Sequence, residues 1–309
     1  AAVIHRFGNA DELTIEERAI PNCTDGEILI DVCAIGINPI DFKTRRGQGV
    51  THLWEKTGFP LVLGWDISGI VTKSHSIKFN AGDEVFGMSN FPQLANGYAE
   101  FVSGPAEHFA LKPKTISHIE AAATPLAGLT AYQALFTSAE LTANESVLIH
   151  AGAGGVGHMA IQLAKCKGAN VITTTSSKNS RFVARLGADK VVDYNKINYW
   201  EVLSDIDVIF HTIPPELRIK SYQTIKPGGR LISITGPVPA EESVAHGIVG
   251  KFLSVRPNGV HLAELAALLT SGILKVNIDA CYSLENIAKA HLHLEEGHTR
   301  GKVVINLKS

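Results

Sequence analysis

The strongest constraint on the fold is a glycine-rich turn between a short apolar run and an amphipathic stretch. Residues 146–150 (SVLIH) are followed by 151–157 (AGAGGVG), 158–167 (HMAIQLAKCK) and the β-branched run 170–175 (NVITTT). Strand, turn, helix and strand within about 30 residues are the context in which a G-x-G-x-x-G match indicates a dinucleotide-binding βαβ unit. The sequence therefore predicts a Rossmann-type fold around this turn.

Three glycines, Gly152, Gly154 and Gly157, occupy the fingerprint positions. The first permits a tight turn, the second lets the backbone approach a pyrophosphate, and the third allows the helix to pack closely on the strand. A helix that begins near Gly155 would present unpaired N–H groups and the positive end of its dipole to the phosphates. The alternative is a plain glycine turn between a strand and a helix.

The character of the chain changes near residue 115. Before it, short β-type segments such as 27–35 and 69–72 are separated by turn residues, whereas after it strands alternate with helices. This alternation is typical of a doubly wound parallel sheet. The end of the chain, 301–307 (GKVVINL), is again typical of a strand, and we interpret it as returning to the first domain. The predicted α/β architecture has a β-rich domain at 1–115 and 273–309, and a Rossmann domain at 116–272.

The residues after the second strand of the βαβ unit indicate which dinucleotide is bound. NAD sites place Asp or Glu about 20 residues after the first glycine to bind the ribose 2′-OH, but no acidic residue occurs between Gly157 and Asp189. The strand ends instead in Thr175, Ser176, Ser177 and Lys178, with Arg181 close behind. Hydroxyls and cations suit a 2′-phosphate, which offers negative charge and acceptor oxygens only. The sequence thus predicts NADPH, unless the two cations merely solvate the start of a helix.

Charge and cysteine usage exclude several classes of protein. The chain has 309 residues, with 28 Lys plus Arg against 30 Asp plus Glu and a formal net charge of −2, which argues against nucleic-acid binding through bulk positive charge. Four cysteines occur without a CxxC pair, so neither a disulfide framework nor a zinc ribbon is predicted. The sequence contains no apolar run of about 18 residues that would predict a membrane span. We therefore expect a cytoplasmic protein with a small-molecule substrate and no nucleic-acid or membrane partner.

Six segments resemble the medium-chain dehydrogenase/reductase superfamily over essentially the whole chain. They are 36–43 (GINPIDFK), 60–71 (PLVLGWDISGIV), 82–87 (GDEVFG), 125–135 (PLAGLTAYQAL), 151–157 (AGAGGVG) and 301–304 (GKVV). The resemblance implies that the β-rich domain is a GroES-like catalytic domain. The pattern is most similar to the zinc-independent quinone oxidoreductases, the zeta-crystallin-like and enone reductase group.

The resemblance also bears on metal binding. In zinc alcohol dehydrogenases the first segment has the form G-[IV]-C-x-x-D and the second ends in G-H-E, whereas this chain has Asn38, Trp65 and Asp66 at the cysteine, histidine and glutamate positions. Amide and indole groups do not supply the thiolate and imidazole that catalytic zinc requires, so no metal is expected. Without a Lewis acid an alcohol is hard to oxidise, whereas passing a hydride from NADPH to an electron-poor acceptor demands less of the protein.

The resemblance therefore implies an NADPH:quinone oxidoreductase or enone reductase, which transfers a hydride to a quinone or an α,β-unsaturated carbonyl compound. A 2-enoyl thioester reductase is the enzymatic alternative, for which Lys43, Arg45 and Arg46 supply little basic surface. A non-enzymatic NADPH-binding protein, of the crystallin or RNA-binding kind, is the other alternative. The net charge and the lack of RGG or aromatic–basic patches argue against RNA binding.

By resemblance, Lys43 and Asn38 are the expected catalytic residues, with Lys43 also holding the nicotinamide ribose. Asp41 of the same motif is expected to be a structural hydrogen-bonding residue. The expected cofactor-binding residues are Lys43, Thr130, Gly152, Gly154, Gly155, Val156, Gly157, Thr175, Ser176, Ser177, Lys178, Tyr194, Ile213, Thr235, Gly236, Phe252, Leu253, Ser254, Arg300 and Gly301.

Three further features complete the predictions. The proton that follows the hydride can come from solvent, and Lys43 or Tyr98 are the side chains nominated as donors. His291 and His293 form an HxH pair, but residues two apart on a helix point in different directions, so a solvated helix face is expected rather than a metal site. The apolar segment 252–255 (FLSV) is typical of an edge strand that pairs across a dimer, so we predict a homodimer.

Overall fold

The computed structural model describes residues 1–54 and 58–308, and the chain divides into two compact units. The first unit comprises Ala1–Leu129, Arg256–Gly272 and Val276–Ser309, and the second comprises Thr130–Val255 and Ile273–Lys275. The domain boundaries that the sequence places near residues 115 and 272 stay a prediction. The compact units place residues 116–129 and 256–272 with the β-rich part of the chain.

The described residues form strands and helices with the following bounds. The strands are β1 Ala2–Ile4, β2 Thr14–Ile15, β3 Glu27–Ile37, β4 Leu61–Val62, β5 Asp66–Ser74, β6 Glu84–Met88, β7 Phe101–Pro105, β8 Phe109–Leu111, β9 Ser146–Ile149, β10 Asn170–Thr175, β11 Lys190–Asp193, β12 Ile206–His211, β13 Ile225–Ser233, β14 Val249–Phe252, β15 Ile278–Tyr282 and β16 Lys302–Asn306. The α-helices are α1 Pro39–Arg45, α2 His118–Ala122, α3 Pro125–Tyr132, α4 Gly157–Cys166, α5 Ser180–Arg185, α6 Tyr199–Val202, α7 Arg218–Ser221, α8 Ala240–Ala245, α9 Gly259–Thr270 and α10 Ile287–Glu295. A π-helix spans Gln133–Ser138.

The second unit is the predicted doubly wound domain. Across residues 130–255, all of them described, strands β9 to β14 form a parallel sheet in the order β11-β10-β9-β12-β13-β14. Counted from β9, this order is the 3-2-1-4-5-6 arrangement of dinucleotide-binding sheets. Apolar residues of the strands, including Leu148, Ile206, Ile209 and Leu231, form its buried core. The predicted fold class is therefore confirmed.

Helix α4 begins at Gly157 rather than near Gly155. The turn before it is closed by a hydrogen bond from the Gly154 N–H to the Ala151 carbonyl at 2.9 Å, and Ala151 has a positive φ of 51°. This turn covers residues 151–154, and the helix starts after it at Gly157, two residues later than expected.

The first unit is built mainly on antiparallel pairing, with β15 and β16 paired in parallel. Its larger sheet has the order β15-β16-β3-β5-β6-β8 within the described residues, with β7 paired to β3, and a smaller sheet has the order β2-β1-β4. Strand β16 pairs antiparallel with β3, opposing Val303 with Ile37, which confirms that the end of the chain returns to this unit. Helix α9 lies against β8, where Gly259 approaches the Phe109 carbonyl so closely that a side chain would overlap it.

Candidate functional site

The glycine turn between β9 and α4 has the features of a phosphate-binding loop. A side chain at Gly152 would overlap the Thr173 hydroxyl, and one at Gly157 would overlap the carbonyl of Ala151. Internal packing therefore requires glycine at both positions. A Cβ at Gly154 would meet only the Ala151 oxygen, at 3.3 Å, among the described residues. Gly154 thus has an open flank that a pyrophosphate can approach, as the second fingerprint glycine does.

The N-terminal end of helix α4 lies next to this turn and is a favourable position for an anion. Its N-cap residue, Val156, has no side-chain oxygen that could cap the first turn. Backbone N–H groups at such a helix start bind phosphate oxygens, and the helix dipole favours negative charge there. The turn and the helix therefore fit the pyrophosphate of a dinucleotide.

The other predicted cofactor residues of the second unit follow the ends of parallel strands. Because β9 to β14 run in one direction, their carboxyl ends share one edge of the sheet, where ligands of open α/β sheets bind. Thr235 Oγ1 donates to the Ile213 carbonyl at 2.8 Å and joins two of these loops. The residues at or just after the strand ends are Gly152 (β9), Thr175 and Ser176 (β10), Tyr194 (β11), Ile213 (β12), Thr235 and Gly236 (β13), and Phe252, Leu253 and Ser254 (β14). Thr130 lies on α3 and is buried.

The predicted 2′-phosphate residues come together at the ends of β10 and β11. The Tyr194 N–H donates to the Thr175 carbonyl at 3.2 Å, which fixes the two strand ends against each other. Ser177 and Lys178 are exposed, and 55% of the Tyr194 side chain is exposed. Donors that face solvent at one corner of the sheet can receive a phosphate without a large change in the protein.

A carboxylate that the sequence analysis missed lies at the same corner. Asp193, at the end of β11, is opposite Thr175 in the parallel register and accepts a hydrogen bond from Ser177 Oγ. It also accepts from the Asn195 N–H at 3.1 Å and lies 3.7 Å from Lys196 Nζ. The acidic residue of an NAD site is expected at the end of β10, whereas Asp193 lies at the end of the neighbouring strand β11. Counting one residue past the last apolar position of β11 could have found it.

Two histidines are buried at the carboxyl ends of β9 and β12. His150 and His211 are both 0% exposed, with ring centroids 5.3 Å apart. Burial lowers the pKa of His211 to about 4 and that of His150 well below its usual value. The nitrogens of His150 and Nε2 of His211 have no hydrogen-bond partner among the described residues. Both rings are therefore neutral at physiological pH.

In the first unit, a buried polar cluster surrounds Asn38. Its Nδ2 donates to Asp66 Oδ2 at 2.9 Å, its Oδ1 accepts from Lys302 Nζ, and its backbone N–H donates to Asp41 Oδ2 at 2.8 Å. Asp66 also accepts from the Leu126 N–H at 2.9 Å and lies 3.8 Å from Lys302 Nζ. Burial raises the pKa of Asp66 to about 6, although Lys302 opposes the shift. The side-chain amide of Asn38 is therefore held between a carboxylate and an ammonium group.

The structure places Asp41, Tyr98 and His291 together in the interior of the first unit. Tyr98 is 0% exposed and its hydroxyl lies 2.8 Å from Asp41 Oδ2 and 2.9 Å from His291 Nε2. The structural role expected for Asp41 is confirmed. The solvated face expected for the HxH pair is wrong for His291, which is buried, while the partly exposed His293 binds Tyr282 and Asp279 at 2.8 and 2.9 Å. Because Tyr98 is fully buried, its hydroxyl is a poor proton donor to a substrate.

Lys43, Arg300 and Gly301 also belong to the first unit. Lys43 is exposed on α1, close after Asn38. Gly301 has a φ of +83°, and a side chain there would overlap the Asn277 carbonyl. The Arg300 carbonyl accepts from Asn277 Nδ2 at 2.7 Å. This loop therefore places Lys302 next to Asn38, and its backbone conformation at Gly301 requires glycine.

Comparison with known proteins places the chain in a family. Residues 24–119 match the family described as the alcohol dehydrogenase GroES-like domain, and residues 186–305 match the family described as zinc-binding dehydrogenase. The chain is 35% identical over 314 residues to the 2-methylene-furan-3-one reductase of Solanum lycopersicum, with 97% of this chain and 77% of that protein covered. It belongs to the quinone oxidoreductase family of the medium-chain dehydrogenases/reductases.

Other members of this quinone oxidoreductase family are similar over the whole chain. The chloroplastic NADPH-dependent alkenal/one oxidoreductase of Arabidopsis thaliana is 34% identical over 319 residues, covering 99% of this chain and 78% of that protein. The solved quinone oxidoreductase of Coxiella burnetii superposes with a TM-score of 0.93 at 34% identity, covering 100% and 99% of the two chains. That of Escherichia coli, complexed with NADPH, has a TM-score of 0.88 at 27% identity, with 99% of each chain covered.

One matched family is described as zinc-binding dehydrogenase, but this quinone oxidoreductase family member has other residues at the positions of the zinc ligands. Trp65 is buried and its Nε1 donates to the Gln93 carbonyl at 2.7 Å, while Asn38 and Asp66 are bound to each other and to Lys302. An indole N–H cannot ligate zinc, and the ammonium group beside Asp66 would repel a cation. Within 1–54 and 58–308, no group of three or more His, Cys, Asp or Glu side chains could hold a metal ion. These positions do not fit zinc.

Proposed function

We propose that this chain is an NADPH-dependent reductase that transfers a hydride to an α,β-unsaturated carbonyl compound or a quinone. One observation carries the proposal: the carboxyl edge of the second unit's sheet combines an open-flanked Gly154 with the exposed side chains of Ser177 and Lys178. Relatives that share 34–35% identity with the chain are named as reductases of conjugated carbonyl compounds. The resemblance in sequence and the donor arrangement therefore support the same activity.

NADPH, when bound, supplies the hydride that is transferred. The chain would contribute binding and orientation: the flank of Gly154 and the start of α4 would hold the pyrophosphate, and Ser176, Ser177, Lys178 and Tyr194 would hold the 2′-phosphate. Lys43, the exposed lysine of α1, contacts the nicotinamide ribose in this proposal. Its ammonium group can also donate the proton that completes the reduction, with solvent as the other source.

The proposed reaction proceeds without zinc. Hydride adds to a conjugated acceptor that is already electron-poor, and the negative charge that results is delocalised onto its carbonyl oxygen, so a Lewis acid is not needed to start the reaction. The pairing of Asn38 with Lys302 and Asp66 supports this part of the proposal. Purified protein should contain less than stoichiometric zinc and keep its activity after dialysis against a chelator. A stoichiometric metal whose removal abolishes activity would contradict zinc independence.

The activity is tested by following NADPH oxidation with four acceptors: a 2-alkenal, 1,4-benzoquinone, 9,10-phenanthrenequinone and crotonyl-CoA. Turnover with the alkenal or a quinone supports the proposal, whereas preference for crotonyl-CoA would favour a 2-enoyl thioester reductase. NADPH binding without turnover of any acceptor would favour a non-enzymatic NADPH-binding protein. Lys43→Met, with Lys73→Met as an exposed control on β5, tests whether the proposed catalytic lysine contributes to kcat.

The assembly and location belong to the same proposal. Strand β14 is the last strand of the second unit's sheet, and Val249 and Phe252 are half-exposed on it, which supports a homodimer paired along this edge. A monomer mass by light scattering at micromolar concentration would contradict it. None of the helices in the described part of the chain is both long and apolar enough to cross a membrane. A cytoplasmic location without nucleic-acid partners follows from the charge and cysteine arguments and is tested by cell fractionation.

A further inference from the structure

A row of buried hydrogen bonds in the first unit connects α10 to the first turn of α1. Arg45 Nη1 lies 3.2 Å from His291 Nδ1, and His291 Nε2 lies 2.9 Å from the Tyr98 hydroxyl. The Tyr98 hydroxyl is 2.8 Å from Asp41 Oδ2, which also accepts the Asn38 N–H at 2.8 Å. All five residues are buried. We call this row the α10–α1 network.

The chemistry of Arg45 fixes the direction of every hydrogen in the α10–α1 network. A guanidinium group can only donate, so His291 Nδ1 is the acceptor and Nε2 carries the ring hydrogen. Nε2–H then donates to the Tyr98 oxygen, and the Tyr98 hydrogen is left to donate to Asp41. Burial, together with the neighbouring Arg45, lowers the pKa of His291 to about 3, so the ring stays neutral. One tautomer of His291 therefore satisfies the whole row.

The network ends on the part of α1 that the proposed reaction uses. Asn38 is the N-cap of α1, Pro39 is its first residue and Asp41 lies in its first turn. The helix has only seven residues, and isolated helices shorter than about 12 residues are marginal in water. Tertiary contacts must therefore fix its orientation, and with it the direction of the exposed Lys43.

The two ends of α1 are held by different groups. Near the C-terminal end, Arg45 Nη2 donates to Glu295 Oε1 at 2.6 Å, Arg45 Nε donates to the Gly8 carbonyl at 3.2 Å, and Arg46 also binds Glu295. The first turn instead depends on the Tyr98 hydroxyl and Asp41, with Asp66 and Lys302 around Asn38. Loss of the Tyr98 bond would therefore disturb the first turn while Glu295 still holds the other end.

We propose that Tyr98 and His291 are positioning residues of the reductase: through Asp41 they hold Asn38 and the first turn of α1, and thereby Lys43, in the orientation needed for hydride transfer. This inference rests on the proposed function. Neither residue is exposed, so both act through α1 rather than by touching substrate.

Substitutions at position 291 separate the two branches of the network. His291→Gln places an amide nitrogen near the position of Nε2, so it can still donate to Tyr98, whereas His291→Asn places its amide near Nδ1 and reaches only Arg45. Tyr98→Phe keeps the ring and removes the hydroxyl that joins His291 to Asp41. The matched control is His293→Gln, which lies on the same helix and binds Tyr282 and Asp279 instead.

The measurement is steady-state NADPH oxidation with a 2-alkenal or quinone, together with NADPH binding and thermal unfolding of each variant. Because small misplacements of a reacting group cost between about tenfold and about a hundredfold, we expect Tyr98→Phe and His291→Asn to lose at least about tenfold in kcat. We expect KM for NADPH to change less than about threefold, since the phosphates bind elsewhere. His291→Gln and the His293→Gln control should stay within about threefold of the unchanged protein in kcat.

Three outcomes would overturn the inference. Wild-type kcat in both His291→Asn and Tyr98→Phe, even with lower melting temperatures, would show a merely structural network. Equal losses in His291→Gln and His291→Asn would show that the path does not run through Tyr98, and this comparison remains decisive if Tyr98→Phe does not fold. If the unchanged protein binds NADPH but reduces no acceptor, the proposed function fails and this inference fails with it, whereas the first two outcomes leave the proposed function intact.

Discussion

Ser177 donates its hydroxyl hydrogen to Asp193, a carboxylate that comes from the end of the neighbouring strand β11. This hydrogen bond is the main cause of a lowered Asp193 pKa, so the carboxylate is ionised at neutral pH. A hydroxyl has one hydrogen, so while Ser177 donates to Asp193 it cannot donate to a phosphate oxygen. The predicted 2′-phosphate site therefore contains a group that opposes the phosphate and could accept the ribose hydroxyl of NADH.

We therefore expect Asp193→Asn to increase the preference for NADPH over NADH. Removal of a solvent-screened negative charge that lies near a phosphate relieves a modest repulsion, so the ratio of kcat/KM values should rise by about two- to fivefold. Asp205→Asn is the control, because it makes the same charge change just before β12, at the amino ends of the strands and not at their carboxyl ends. A lower ratio in Asp193→Asn would mean that Asp193 instead prepares Ser177 for the phosphate.

Lys178 should act in the opposite direction. A lysine that meets a phosphate forms a charge-assisted hydrogen bond, and its removal costs about 1.5–3 kcal/mol, or about tenfold and more in affinity. Lys178→Ala should weaken NADPH binding by that factor and leave NADH binding nearly unchanged. The control, Arg185→Ala, removes an exposed cation from the last position of α5. Equal weakening of both dinucleotides by Lys178→Ala would place the 2′-phosphate elsewhere.

The glycines of the turn should separate folding from binding. Gly152→Ala forces a Cβ against Thr173 and should lower the free energy of unfolding by about 1–3 kcal/mol. Gly154→Ala meets only the Ala151 oxygen at 3.3 Å among the described residues, so it should fold with nearly unchanged stability and bind NADPH more weakly. Chemical denaturation and NADPH titration measure the two effects. Unchanged NADPH binding by a folded Gly154→Ala protein would exclude close approach of the pyrophosphate at this glycine.

The buried histidine pair makes the second unit sensitive to acid. Because the pKa of His211 falls from 6.5 to about 4 on folding, the unfolded chain binds more protons below pH 6.5. The stability is therefore complete above that pH and is lost as the pH falls towards 4, by about 2–3 kcal/mol near pH 4.5. His211→Leu should remove this part of the loss, whereas His246→Gln, an exposed histidine of the same unit, should not. Identical pH dependence of unfolding in His211→Leu and the unchanged protein would contradict this account.

The sequence predicted correctly the features that depend on residues close to each other along the chain. The βαβ unit could be predicted because apolar periodicity and the glycine spacing are local, and the helix start was misplaced by two residues because the turn at Ala151 depends on backbone angles. The returning strand β16 could be predicted because GKVVINL has the apolar, β-branched composition of a strand and resembles a known arrangement. These patterns need no knowledge of distant contacts.

The buried side-chain networks could not be predicted in the same way. Arg45 and Tyr98 contact His291 although they are 246 and 193 residues away from it in the sequence. The HxH spacing of His291 and His293, taken by itself, predicted only a solvent-exposed helix face. Asp193 meets Ser177 across 16 residues because two strand ends are in register. The rule that residues two apart face different directions was correct, but it did not reveal that one of those directions leads into the interior.

The most direct test of the central claim uses NADPH that carries deuterium at the transferable position of its nicotinamide, with a 2-alkenal as acceptor. Hydride transfer to the conjugated double bond predicts a saturated aldehyde with deuterium on the β-carbon, read by mass spectrometry and NMR, while the α-carbon takes its hydrogen from solvent. Deuterium on the carbonyl carbon of an unsaturated alcohol would instead show alcohol-dehydrogenase chemistry. Either that result or the absence of any labelled product from protein that binds NADPH would contradict the account.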